Sequence, residues 1–274
     1  QNASGGTTQN YTGAFAKLDP TVAAGWNQAG LGGSTSFSTT SGRLALGTAT
    51  GSFASGSANV TLTANATRAS SPDGPFTAAF GVAPTDSDGV ALAGLDMAST
   101  SGGSNDRGSV ASVALRHGRL RLLSAMGAAD RALALPVLAQ AWNGSGWDTN
   151  TLDSCTTVAA SAVNFGNLRR TLTLADLNVA APVALSAGLG SLRLAAPGGG
   201  RSGTLDVALS LGSSSTDASC LQSWTPTKPA TSAANLAHLR GAWCGSSTDK
   251  DPAARASFGL QRTQEHTLYR REHY

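Results

Sequence analysis

The chain has 274 residues, of which 41% are apolar and 13% charged, with a formal net charge of +3. It is long enough for one large or two medium cores, too weakly basic to argue for nucleic acid, and too poor in charge for many solvated helix surfaces. Its best apolar runs, Leu133–Ala139 and Val179–Leu189, are interrupted by Pro136 and Pro182 and fall short of the roughly 18 residues a membrane-spanning helix needs.

The first residues, QNASGGTTQNYTG, read as a polar connection into Tyr11 and Phe15, with a short helix near Ala14–Leu18. Short apolar runs bounded by Gly, Ser, Asn and Asp follow, each predicting a strand: Ser36–Thr40, Arg43–Leu46, Val60–Ala66, Phe76–Val82, Ser109–Leu115 and Arg119–Leu123. Within Asn59–Thr67, Val60, Leu62, Ala64 and Ala66 alternate with polar residues, which predicts a half-buried strand. Asp86 and Asp88 in TDSDG imitate the start of a calcium loop but lack its distal Glu, and Asp-Gly is also a strong hairpin signal. Calcium is the only cofactor these residues suggest. Asp249 and Asp251 invite the same comparison. The polar loop Ala98–Gly108 should be exposed.

Near residue 116 the texture changes, from Ser/Thr-rich strands to RHGRLRLL. Two organisations fit: Ig-like or jelly-roll-like subdomains at 1–115 and 116–274, or one continuous antiparallel β-sandwich over 1–274. Arg119 and Arg121 alternate with leucines, so both guanidinium groups face one side of a strand. The ordinary reading of that stripe is a solvated or edge-protecting face.

Further strands are predicted at Ala132–Trp142, Arg170–Leu174, Ser191–Ala195, Thr204–Leu211, Ala256–Leu260 and Thr267–Arg271, with a short helix near Ala233–Leu239 and an exposed loop at Gly212–Ala218. Trp142 and Trp147 flank Asn-Gly-Ser-Gly, so a hairpin there holds two indoles together. Exposed, they form a glycan- or protein-binding surface; otherwise they are cross-strand packing, the commoner fate of Trp. Gly198, Gly200 and Gly203 satisfy GxGxxG, but SLRLAA before and TLDVALSL after are both strand-like, so the glycines belong to a hairpin connection and not to a nucleotide fingerprint. No GxSxG exists, and His117, His238, His266 and His273 sit in strand-like or terminal segments as surface or edge residues. No catalytic residue emerges.

Cys155, Cys220 and Cys244 lack metal-ligand spacing. Cys220 and Cys244 flank a short Pro-containing loop and are predicted to pair, worth about 3 kcal/mol in the chain-entropy model; Cys155 is left over or joins a cysteine upstream. Phe258, Leu260, Leu268 and Tyr269 are assigned to a last hairpin turning at Arg262–His266.

Four segments carry a family resemblance: NYTGAFAKL (Asn10–Leu18), SPDGPFTAAFGVAPTDSDGVAL (Ser71–Leu92), RHGRLRLLSAMG through WNGSGWDTNTLDSC (Arg116–Cys155), and LRGAWCGSSTDKDPAARASFGL through YRREHY (Leu239–Tyr274). In this order they resemble the C-terminal domain of the MshQ-like proteins, which accompany MSHA-type type IV pili of bacteria. The resemblance implies a non-enzymatic extracytoplasmic surface protein, an adhesin or structural subunit whose partners are pilus or neighbouring surface subunits. It also implies that domain sequence precedes Gln1. A missing strand would leave an open sheet edge for the same polypeptide or a neighbour to cover. The alternative expectation is a carbohydrate-binding β-sandwich using Trp142 and Trp147.

Overall fold

The computed structural model describes residues 4–21, 23, 43–82, 84–89, 108–221, 226–245 and 249–259. The chain divides into two compact units, Gln1–His117 and Gly118–Tyr274. It is all-β, and the helical segments among the described residues are three-residue 3-10 turns. The helices expected near Ala14–Leu18 and Ala233–Leu239 reduce to such turns at Gly13–Phe15 and Ala237–Leu239. The strands expected at Ser36–Thr40 and Thr267–Arg271, the loop through 107 and the last hairpin beyond Gly259 lie outside the described residues.

In the first unit β1 (Leu44–Leu46), β2 (Phe53–Ala54), β3 (Ser57–Ala58), β4 (Ala64–Ala66), β5 (Phe76–Val82) and β6 (Gly108–Leu115) form antiparallel pairs β1–β4, β2–β3 and β5–β6. The β2–β3 hairpin turns through Ser55 and Gly56, both at positive φ, as a two-residue turn matched to strand twist requires. Tyr11 packs edge-on against Phe53 at 5.2 Å, and its hydroxyl accepts a hydrogen bond from the Leu18 N–H. The half-buried strand expected over Asn59–Thr67 is shorter and drier only at its start. Val60 and Leu62 are half-buried, whereas Ala64 and Ala66 in β4 are exposed. Alanine side chains have too little apolar area to enforce burial.

The second unit is a two-sheet sandwich. Its first sheet centres on β9 (Leu133–Trp142), which pairs with β7 (Gly118–Leu122) along one edge. Along the other edge β9 pairs successively with β14 (Leu189–Leu194) and β10 (Trp147–Thr149). The second sheet has the order β12 (Val163–Gly166), β15 (Gly203–Leu209), β16 (Ala253–Phe258), β8 (Ala125–Gly127), with β16 and β8 parallel. A two-stranded pair, β11 (Thr157–Val158) with β13 (Val183–Ala184), stands beside them. Leu120, Leu135, Val137 and Leu192 from the first sheet and Phe165, Leu205, Val207 and Phe258 from the second share one buried cluster. The alternation that the sequence shows in β7, β9 and β14 aims these residues inward.

Pro136 lies inside the central strand without breaking it. Its carbonyl accepts from the Leu123 N–H, so this residue's polar groups face the β7 edge. There β7 ends, so the missing N–H costs the ladder only the reciprocal bond to the Leu123 carbonyl, just past the end of that strand.

Two sequence expectations are corrected here. Arg170–Leu174 is not a strand: Arg170 has φ +63, and Leu174–Asp176 is a 3-10 turn. In its capping box Asp176 accepts from the Thr173 N–H and hydroxyl. Gly198–Gly203 is not a hairpin, because β14 and β15 belong to different sheets and the glycines carry the chain between them. A side chain at Gly203 would meet the Arg169 carbonyl oxygen at 2.0 Å.

Candidate functional site

The outward residues of the first sheet follow from its register. Leu120, Leu122, Leu135, Val137, Leu192 and Leu194 point into the core, so their neighbours point out. Cross-strand rows on that outer face are Trp142 with Trp147, Arg119 with Gln140 and Thr149, Arg121 with Leu138 and Leu189, and Arg193 with Ala134. The charged residues in these rows are three arginines, and no carboxylate shares them.

At one end the rows become a packed cluster. Trp142 and Trp147, both half-buried, meet edge to face with ring centres 5.6 Å apart. The Arg119 guanidinium lies 3.9 Å from the Trp147 ring centre and 4.7 Å from that of Trp243, a cation between two indoles. Its Nε donates to Gln140 Oε1 at 2.9 Å. Among the described residues Arg119 makes no ion pair. Burial, with the like charge of Arg121 adding to it, lowers its pKa to about 10, so it stays charged at neutral pH. The expected solvated stripe is therefore corrected at Arg119, which is half-buried and stacked, while Arg121 is exposed. The two tryptophans do come together as expected, but Arg119 occupies one face of Trp147. They do not form a pair of open parallel platforms.

Sequence reasoning missed Trp243. Two local constraints place it: the neighbouring Cys244 is joined to Cys220 by the predicted disulfide, and Gly241 leaves room for the indole, since a Cβ there would lie 2.6 Å from its ring. Its buried Nε1–H has no partner among the described residues, so packing and not hydrogen bonding sets the ring. The signal was its adjacency to a cysteine already assigned to a crosslink. An open groove of about 370 Å³ continues beside Trp243, lined also by Arg121, Ser124, Cys220 and Pro252.

The other candidates fall elsewhere. The Asp88 N–H donates to Asp86 Oδ1 at 3.0 Å, and Lys17 Nζ stands 3.9 Å from Asp88, the geometry of a turn. Among the described residues no cluster of three His, Cys, Asp or Glu could hold a metal ion. Asp251 is fully buried and accepts from the Leu211 and Ala218 N–H groups and from Arg240. Cys155 is a free, exposed thiol. His117, expected at a surface or edge, is instead buried in the first unit, 3.3 Å from Asp73, which also pairs with Arg43. Its sequence environment, RHG, gave no sign of that partner.

Asp176 and Asp206 complete the set of arginine-paired buried carboxylates in the second unit. Asp176 takes Arg201 at 2.8 Å together with the Gly198 N–H, and Asp206 takes Arg255 at 2.8 Å and Asn167. Arg201, more than offsetting burial, holds the Asp176 carboxyl far below its ordinary value. At Asp206 burial pushes the carboxyl up, but Arg255, Asn167 and the charge of Arg169 outweigh it and hold it below its ordinary value.

No curated protein matches the chain. A family profile described as "DUF6701, third domain" matches residues 1–112, and one described as "DUF6701, fourth domain" matches residues 116–273. The chain belongs to the DUF6701 family and spans its third and fourth domains.

Proposed function

We propose that this chain is a non-enzymatic, extracytoplasmic surface module, an adhesin or structural subunit associated with an MSHA-like type IV pilus. The observation that carries the reading is the Cys220–Cys244 disulfide in an all-β chain, since structural disulfides persist in oxidising compartments. The four resembling segments supply the pilus association. Asp176, Asp206 and Asp251 support a non-catalytic role, because each is neutralised by an arginine and hydrogen-bonded into the scaffold. Among the described residues no helix is long and apolar enough to cross a membrane. The test is fractionation: the protein should co-purify with sheared pili or the outer surface, and recovery from the cytoplasm alone would sink the proposal.

A specific observation favours a second reading, a carbohydrate-binding module. Trp142, Trp147, Arg119 and Thr149 stand half-buried on one outward sheet face, with the buried Gln140 bonded to Arg119. Half-exposed indoles beside polar groups are the usual material of a saccharide site. Quenching of tryptophan fluorescence in a glycan screen would support it.

A further inference from the structure

We propose that the outer face of β7, β9 and β10 recognises a carboxylate borne on a sugar ring, with Arg119 receiving the carboxylate and Trp142 packing against the ring. This rests on the saccharide-binding reading and names its substrate class, an acidic polysaccharide of the uronate type.

Arg119 lacks an anionic partner among the described residues. A half-buried guanidinium ordinarily has an anionic partner. The other half-buried arginines of this unit each have one: Arg201 with Asp176 and Arg240 with Asp251. Arg119 has instead a neutral acceptor at Nε and an indole on each side. The two stacked rings and the Gln140 bond fix the plane of the fork, while the terminal nitrogens are not among the buried unsatisfied atoms. An oriented fork whose terminal nitrogens are not fully buried is suited to a bidentate carboxylate.

The surrounding charge agrees. Arg121 stands one row away and Arg193 lies further along the same face, with no acid in the rows between. The charged side chains that an approaching anion meets in these rows are arginines. The saccharide class follows from what accompanies the charge. Trp142 offers a half-buried indole in the adjoining row, and Thr149, half-buried in the row of Arg119, supplies a hydroxyl, while Gln140 is buried and holds Arg119. A lipid surface would need apolar anchors here, yet the exposed large apolar residues Met126, Leu152 and Leu174 lie outside these rows, and only Leu189 lies within them.

The experiment uses the whole chain and four probes: polygalacturonate, the same polymer with its carboxylates methyl-esterified, polyglutamate, and phosphatidylserine vesicles. Polygalacturonate should bind, with affinity falling as salt rises, and the other three should bind at least about tenfold more weakly. R119Q should reduce polygalacturonate affinity at least about tenfold. R119K, which keeps the charge but not the planar fork, should recover only part of it. Both variants are read only with near-UV circular dichroism and melting curves that match the parent; R121Q, at an exposed position, gives an independent and smaller loss. Equal binding of esterified and acidic polymer, unchanged in R119Q, would overturn the carboxylate assignment and leave saccharide binding standing. Binding to neither polymer would overturn both. Equal or tighter binding to polyglutamate or vesicles would overturn the saccharide class.

Discussion

The Asp251 carboxylate is wholly removed from solvent and accepts from two backbone N–H groups and both sides of the Arg240 fork. Asp251→Ala would leave the two N–H groups without their acceptor and take the carboxylate from the largely buried Arg240, at a cost of roughly 3 to 5 kcal/mol. Asp251→Asn keeps an acceptor and should cost less. Urea unfolding midpoints check this, and an alanine variant as stable as the parent would show that Arg240 re-solvates freely. His117 sets a different expectation. Burial first, then the charge of Arg68, lowers its pKa below the ordinary 6.5, with Asp73 opposing. Below 6.5 the unfolded chain therefore binds a proton more readily than the folded one. The first unit should hold its stability above that pH and lose some as pH falls through it. An NMR titration of the ring should give a midpoint under 6.5 that rises in Arg68→Gln; a midpoint above 6.5 would mean that Asp73 governs the site.

At the scale of elements, the connection from β14 to β15 depends on Gly203, whose Cα faces the Arg169 carbonyl oxygen too closely for any side chain. Gly203→Ala should destabilise the second unit by about 2 kcal/mol or more, because backbone and not a flexible side chain must yield. Thermal melts of the variant test it. The sequence read most strands correctly where alternation alone decides them: β5, β7, β9, β14 and β15 lie within a residue or two of their expected ends. It failed where distant groups decide. Arg170–Leu174 has strand composition, but Asp176 caps it into a turn and is itself fixed by Arg201. The glycines of 198–203 looked like a hairpin because nothing local says that the flanking strands belong to different sheets. Trp142 and Trp147 were legible as a pair across a short turn, whereas Trp243 reaches them only through Arg119 and the disulfide.

At the scale of the whole molecule, the buried cluster of the second unit runs from Leu120 to Phe258 and draws only on residues of that unit. A segment whose core is complete within itself folds alone if the apolar area buried exceeds the chain entropy lost. Residues 118–274 expressed separately should therefore melt in one cooperative transition, with near-UV circular dichroism from the Trp142–Trp147 pair retained. The disulfide adds a second requirement to that unit. It closes a loop between positions 24 residues apart, so reduction should lower stability by about 3 kcal/mol in the chain-entropy model. It should also loosen Trp243, which has no hydrogen bond to hold it among the described residues. If Trp243 then leaves Arg119, one wall of the stack is lost while the β7–β9–β10 ladder remains. The measurement is tryptophan fluorescence and urea unfolding of residues 118–274 with and without reductant. A shift in emission at urea concentrations where the sheet is still folded would separate release of Trp243 from unfolding. Identical emission and midpoints in both redox states would show that Gly241 and packing alone hold the indole in place.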